Sequence, residues 1–171
     1  MRRIVTAASG AVAVAAVLAL GIAVAGLASG GSLGGIGGTT SEETTEKPKT
    51  TKFRAVATVG AEVPKPTGVK VGARGTFDLT KTESSGSFSI AWTLAFKNLT
   101  GKAAAAHIHR GKVGKAGPVL VSLCGPCRSG QKGKAKISKS VASAIKAGTT
   151  YVNVHTARNA AGEIRGQIKK R

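Results

Sequence analysis

Between Phe88 and Phe96 the chain alternates without a break. Phe88, Ile90, Trp92, Leu94 and Phe96 are large and apolar, and Ser89, Ala91, Thr93 and Ala95 stand between them. A period of two sustained this long describes a strand with one face in a core. Phe53, Ala55, Ala57 and Val59 alternate in the same way with Arg54, Val56, Thr58 and Gly60. Shorter strands are predicted over 75–79, 104–109, 117–123, 133–137, 151–156 and 163–168, although the alanines of 104–109 also suit a helix. Pro64 and Pro66 make 62–66 irregular, because proline removes a ladder donor. Ser140–Lys146 reads as two helical turns, with Val141, Ala144 and Ile145 on one face and Gly148 as the stop. One-faced strands of this kind bury themselves best in two antiparallel layers. The expected fold is therefore all-β: an antiparallel, Greek-key-like β-sandwich of about seven to eight short strands with one short helix. A barrel is the alternative.

The N-terminus is organised differently. Arg2 and Arg3 precede an uncharged run from Ile4 to Leu27. A basic start followed by an apolar stretch marks export, either as a signal peptide or as a membrane anchor. Small-x-small patterns at Ala23–Ala25 and Gly26–Ala28 favour cleavage, and the alanine content makes a weak anchor. Residues 1–28 are thus expected to contact the membrane, during export or as a retained anchor. The remainder is expected outside, secreted or held on the outer face of the cytoplasmic membrane. Both cysteines lie far downstream, so neither is placed for lipid attachment. Residues 29–51 are rich in Gly, then Thr, Glu and Lys, with no apolar face; they read as a flexible tether. The β domain is expected to occupy 52–171.

Charge narrows the partners. The chain has 171 residues, 26 Lys and Arg, 7 Asp and Glu, and a formal net charge of +19. Three of the acids, Glu42, Glu43 and Glu46, fall in the tether, so the domain itself is the basic part. Such a surface attracts anionic polymers of a cell envelope or anionic lipid headgroups. The lysines are spread out and not interleaved with aromatic residues, which argues against specific nucleic-acid recognition. A solvated lysine-rich surface is the plainer reading. No Ser-His-Asp order, phosphate loop or paired-carboxylate arrangement stands out, so a non-catalytic module is favoured over an enzyme. Asp78 and Glu83 read as solvated charges near a strand end.

Two groups of residues carry chemistry. His107 and His109 are two apart, so on a strand both point to one face. His155 shares its parity with Tyr151 and Asn153, opposite Val152 and Val154. If the two strands pair, three imidazoles share one surface. Imidazole suits copper, zinc and nickel, and three histidines leave a coordination position open. Glu163 is a candidate fourth ligand or an acceptor that orients a histidine; pairing with Arg158 or Arg165 would explain it equally. The plainer alternative is that His107 and His155 bond to neighbouring backbone while His109 is merely exposed, and the positive charge of the domain also opposes a cation. Cys124-Gly125-Pro126-Cys127 has a thioredoxin-like spelling, but residues 128–133 are turn-like and no βαβ unit surrounds it. In an exported chain, a local disulfide is the leading reading. Thiol exchange and metal binding stand behind it.

Two motifs, Ala106-His107-Ile108-His109 with Gly111, Gly114 and Gly117-Pro118-Val119, and Tyr151–Thr156 followed by Gly162–Ile168, resemble the CHRD family, the domain first described in chordin. Glu62-Val63-Pro64 also fits. The resemblance covers 53–168 and departs in its high positive charge and at Arg110. It implies an extracellular, β-rich domain and little defined biochemistry. The His-x-His strand loosely resembles the copper strand of Cu/Zn superoxide dismutases, by analogy alone, since the other dismutase ligands have no counterpart. A redox-active, dismutase-like copper site is the far end of that reading.

Overall fold

The computed structural model describes residues 46–171. The expected signal or anchor over 1–28, and the tether as far as residue 45, lie outside the described residues. Nine strands and one α-helix follow: β1 (Lys49–Thr58), β2 (Arg74–Ser84), β3 (Ser87–Lys97), β4 (Ala103–Arg110), β5 (Val119–Cys124), β6 (Gln131–Ile137), α1 (Lys139–Lys146), β7 (Thr150–Thr156), β8 (Ile164–Gln167) and β9 (Lys169–Lys170). No helix among the described residues is long and apolar enough to cross a membrane.

All pairings are antiparallel, in the order β5-β4-β7-β8-β1-β2-β3-β6, with β9 paired to β1. The sheet curls into a barrel-like sandwich, so the all-β antiparallel expectation holds. The edges β5 and β6 are consecutive in the chain, and the loop between them ties the two ends of the sheet together. Cys127 donates its backbone N–H to the carbonyl of Ala103, the first residue of β4 (2.9 Å), and Gly130 donates to Leu94 in β3 (2.8 Å). The Ser129 hydroxyl accepts from the Phe96 N–H (2.9 Å) and donates to the Phe96 carbonyl (2.7 Å).

The inward rows follow the alternation. Phe53, Ala55 and Ala57 of β1 meet Phe77 and Leu79 of β2, Ile90 and Leu94 of β3, Ile108 of β4, and Val152 and Val154 of β7. Gly133 of β6 lies opposite Trp92. A side chain there would meet the indole at 2.3 Å, so glycine is what lets β6 close over that ring.

The largest differences from the sequence reading lie in β1 and β2. Strand β1 begins at Lys49, so the last residues assigned to the tether belong to the sheet. It stops at Thr58, and Val59–Ala61 forms a 3-10 turn. Strand β2 continues to Ser84 rather than ending at Leu79, because Lys81 occupies an inward position in phase with Phe77 and Leu79. Its ammonium lies 3.3 Å from the Glu83 carboxylate and 5.6 Å from the Phe88 ring centre, which makes a charge tolerable there. The helix is close to the expectation. Ser138 caps it by accepting from the Val141 N–H (3.3 Å), and Val141, Ala142, Ala144 and Ile145 are buried.

Candidate metal centre

Strands β4 and β7 are direct neighbours. Their register pairs Ile108 with Val152 and Ala106 with Val154, and these four side chains point into the core. The same register sets His107 opposite Asn153, His109 opposite Tyr151, and Ala105 opposite His155. Alternation therefore carries all three histidines to the other face. One nitrogen from each of His107, His109 and His155 lies within 4.8 Å of the others. His107 Nδ1 and His155 Nε2 are 3.1 Å apart.

Two of the rings are held by backbone. His109 Nδ1 lies 2.9 Å from the Gly117 carbonyl, and His155 Nδ1 lies 2.9 Å from the Ala160 carbonyl. A carbonyl only accepts, so each Nδ1 carries the proton and each Nε2 presents a lone pair. His109 Nε2 is buried with no hydrogen-bond partner. With His155 Nε2 as acceptor, His107 Nδ1 donates to it; to offer Nδ1 to an ion, His107 would carry its proton on Nε2 instead. Both His107 and His155 are held below the ordinary imidazole pKa of 6.5. For His107 the cause is burial, then the proximity of His155 and His109. For His155 burial again leads, opposed by the Ala160 carbonyl and reinforced by His109. Neutral rings are the form that ligates metal.

Tyr151 supports the His109 ring a second time, from its face. It stacks on His109 with centroids 5.0 Å apart and an interplanar angle of 9°. The Arg165 guanidinium covers the opposite face of Tyr151, 3.4 Å from its centre. Arg165 is anchored in turn by donating to the Lys112 and Lys115 carbonyls (2.9 and 2.8 Å). The Tyr151 hydroxyl accepts from the Gly117 N–H (3.2 Å), so the strap over 111–117 is tied to the residues behind His109.

Glu163 lies elsewhere. Its carboxylate accepts from the Thr100 N–H (2.7 Å) and hydroxyl, the Thr156 hydroxyl (2.7 Å) and the Asn159 amide (3.2 Å). Burial alone would raise its pKa, but these donors outweigh burial and hold it below the ordinary carboxylate value. It is outside the three-histidine group, and backbone carbonyls, not this carboxylate, orient His109 and His155. Nor does it form an ion pair with Arg158 or Arg165 among the described residues. A second buried carboxylate, Glu62, accepts from Asn153 (2.7 Å) and the Val63 N–H (2.9 Å) on the same side of β7. Burial raises its pKa, against the pull of the Val63 N–H, Arg165, Asn153 and Lys65.

Cys124 and Cys127 form a disulfide, with Cα atoms 5.2 Å apart. It closes the turn that joins the two sheet edges, and neither sulfur belongs to the histidine group.

Both halves of the His-x-His and Tyr-Val-Asn-Val-His signature thus meet across a single strand pair. The family model for the CHRD domain matches residues 53–168. The chain belongs to the CHRD family. No curated protein and no solved structure matches it. In this CHRD domain the matched region runs from Phe53, the first fully buried residue of β1, to Ile168, the last buried residue before β9. Sequence reasoning overlooked Tyr151, Arg165 and the Gly117 and Ala160 carbonyls as supports of the site. Tyr151 had one legible signal, its shared parity with His155. The carbonyls had none, because any residue supplies one.

Proposed function

We propose that this CHRD domain binds one copper or zinc ion through His107, His109 and His155. The observation that carries the proposal is the convergence of three imidazoles, two of them fixed by backbone carbonyls in the tautomer that leaves Nε2 free. Ligand nitrogens around a tetrahedral ion at about 2.0–2.1 Å sit roughly 3.4 Å apart. His107 Nδ1 and His155 Nε2, at 3.1 Å, are already close to that separation. The other separations, all within 4.8 Å, would close toward it on rotation of the rings. Three protein ligands leave a position for water or another small ligand. The basic, then apolar N-terminus and the Cys124–Cys127 disulfide support placing the domain outside the cytoplasmic membrane.

The test uses untagged, metal-free protein equilibrated separately with zinc or copper, followed by dialysis and elemental analysis. One tightly held ion per chain is expected, lost when His107, His109 and His155 are together replaced by alanine. Equal metal content and affinity in the wild type and the triple variant would remove the site.

A further inference from the structure

The face of the sheet turned away from the core across β1, β2, β3 and β6 has a second kind of organisation. Register places Lys52, Thr80, Ala91 and Lys134 in one row across the four strands. The next rows are Arg54, Asp78, Thr93 and Lys132, and then Thr50, Thr82, Ser89 and Lys136. The middle strands contribute mainly small residues, and the outer strands contribute long cations. The result is a trough of about 490 Å³, floored by Thr80, Ala91 and Thr93 and walled by Lys52 and Arg171 on one side and Lys132 and Lys134 on the other. At about 4.8 Å per strand the walls stand roughly 14 Å apart. Along β6, Lys132 to Lys136 extend the basic wall over about 13 Å.

The one acid in the trough is already neutralised. Asp78 lies 3.3 Å from Arg54 and 3.3 Å from Arg171. The backbone N–H of Arg171 donates to the Lys52 carbonyl (3.0 Å), which holds that arginine at the rim. Lysines on an edge strand also discourage edge-to-edge pairing, and that role alone would explain β6. It does not explain a matching cationic wall on β1, three strands away, nor the run of hydroxyl-bearing and small residues between.

We infer that this trough binds a linear acidic polysaccharide. Carboxylates spaced along such a chain meet cations on both walls, and its sugar hydroxyls meet Thr80, Thr82, Ser89 and Thr93. The floor carries no exposed aromatic ring on which a nucleic-acid base stacks. It carries no apolar ridge that enters a bilayer. This site is separate from the histidine centre, which lies on β4 and β7, and stands whether or not metal binds there.

The experiment measures binding of metal-free protein to fluorescently labelled polygalacturonate, with single-stranded DNA and anionic phospholipid vesicles as competitors. Binding should weaken steeply with salt, as expected when cations on the protein displace counterions. Replacing Lys132, Lys134 and Lys136 together by Gln should weaken it at least ten-fold. Replacing Lys112, Lys115 and Lys146 by Gln removes the same charge from other exposed positions and should weaken it less than three-fold. Ala91→Phe fills the floor without altering charge and should also cost at least ten-fold, which keeps the test valid if the β6 variant aggregates. Equal losses in the two lysine variants, an unaffected Ala91→Phe, or tighter binding to DNA or vesicles than to polygalacturonate would overturn the inference.

Discussion

Glu163 separates a structural carboxylate from a ligand, and the substitution Glu163→Gln tests which it is. The wild-type carboxylate satisfies four donors from three residues. Glutamine keeps the shape and one acceptor oxygen, and turns an NH₂ toward surroundings that include two donor-only groups, the Thr100 N–H and the Asn159 amide nitrogen. The Thr100 and Thr156 hydroxyls can turn toward each other, being 3.2 Å apart. The Thr100 N–H and the Asn159 amide have no such freedom. Hydrogen bonds to a charged acceptor contribute about 1.5–3 kcal/mol each. Losing one to two of them predicts a net destabilisation of about 2–4 kcal/mol. Domains of this size unfold with roughly 5–15 kcal/mol in total. With an m-value near 2 kcal/mol/M, the urea midpoint should fall by about 1–2 M. The fluorescence of Trp92, the chain's single tryptophan, buried in the core, reports the transition.

Acid titration adds a second readout. The folded pKa of Glu163 lies below its ordinary value of 4.5. The unfolded chain therefore takes up the proton first as pH falls, and the stability from Glu163 is complete above pH 4.5 and lost on passing down through the folded value. Glu62, whose pKa is raised, pulls in the opposite direction, but it is common to both proteins. The difference between wild type and Glu163→Gln should shrink as pH falls below 4.5. Zinc or copper affinity of the folded variant should stay within two-fold of wild type. A midpoint shift corresponding to less than 0.5 kcal/mol, or a ten-fold loss of metal affinity with stability intact, would refute this account.

Other outcomes follow from the same geometry. The lowered pKa values of His107 and His155 should keep both rings neutral and able to ligate at pH 6.5; an NMR titration of the metal-free protein that puts the midpoint of either ring above 6.5 would contradict the assigned ring environments. Gly133→Ala should destabilise the domain by about 1–3 kcal/mol in urea unfolding, because the added methyl meets the Trp92 indole; unchanged stability would mean that the ring is not packed against β6.

The alternations at 53–57, 88–96 and 151–156 made the all-β class legible, because a one-sided burial requirement writes itself into every second residue. The alternation at 151–156, with 104–109 taken as a strand, also assigned His107, His109 and His155 to the face opposite the apolar residues, before any pairing was known. The full length of β2 was hidden, because Lys81 at an inward position looks polar to a periodicity reading, and only its neighbours Glu83 and Phe88 make it tolerable. The role of Glu163 was hidden for a related reason. A carboxylate near histidines in sequence suits a ligand equally well, and its fate depended on Thr100, brought beside it from 63 residues away. Local chemistry sets which way a side chain points along its own strand. Strand order and register decide what it meets, because contacts between distant segments exist only once the chain has closed on itself.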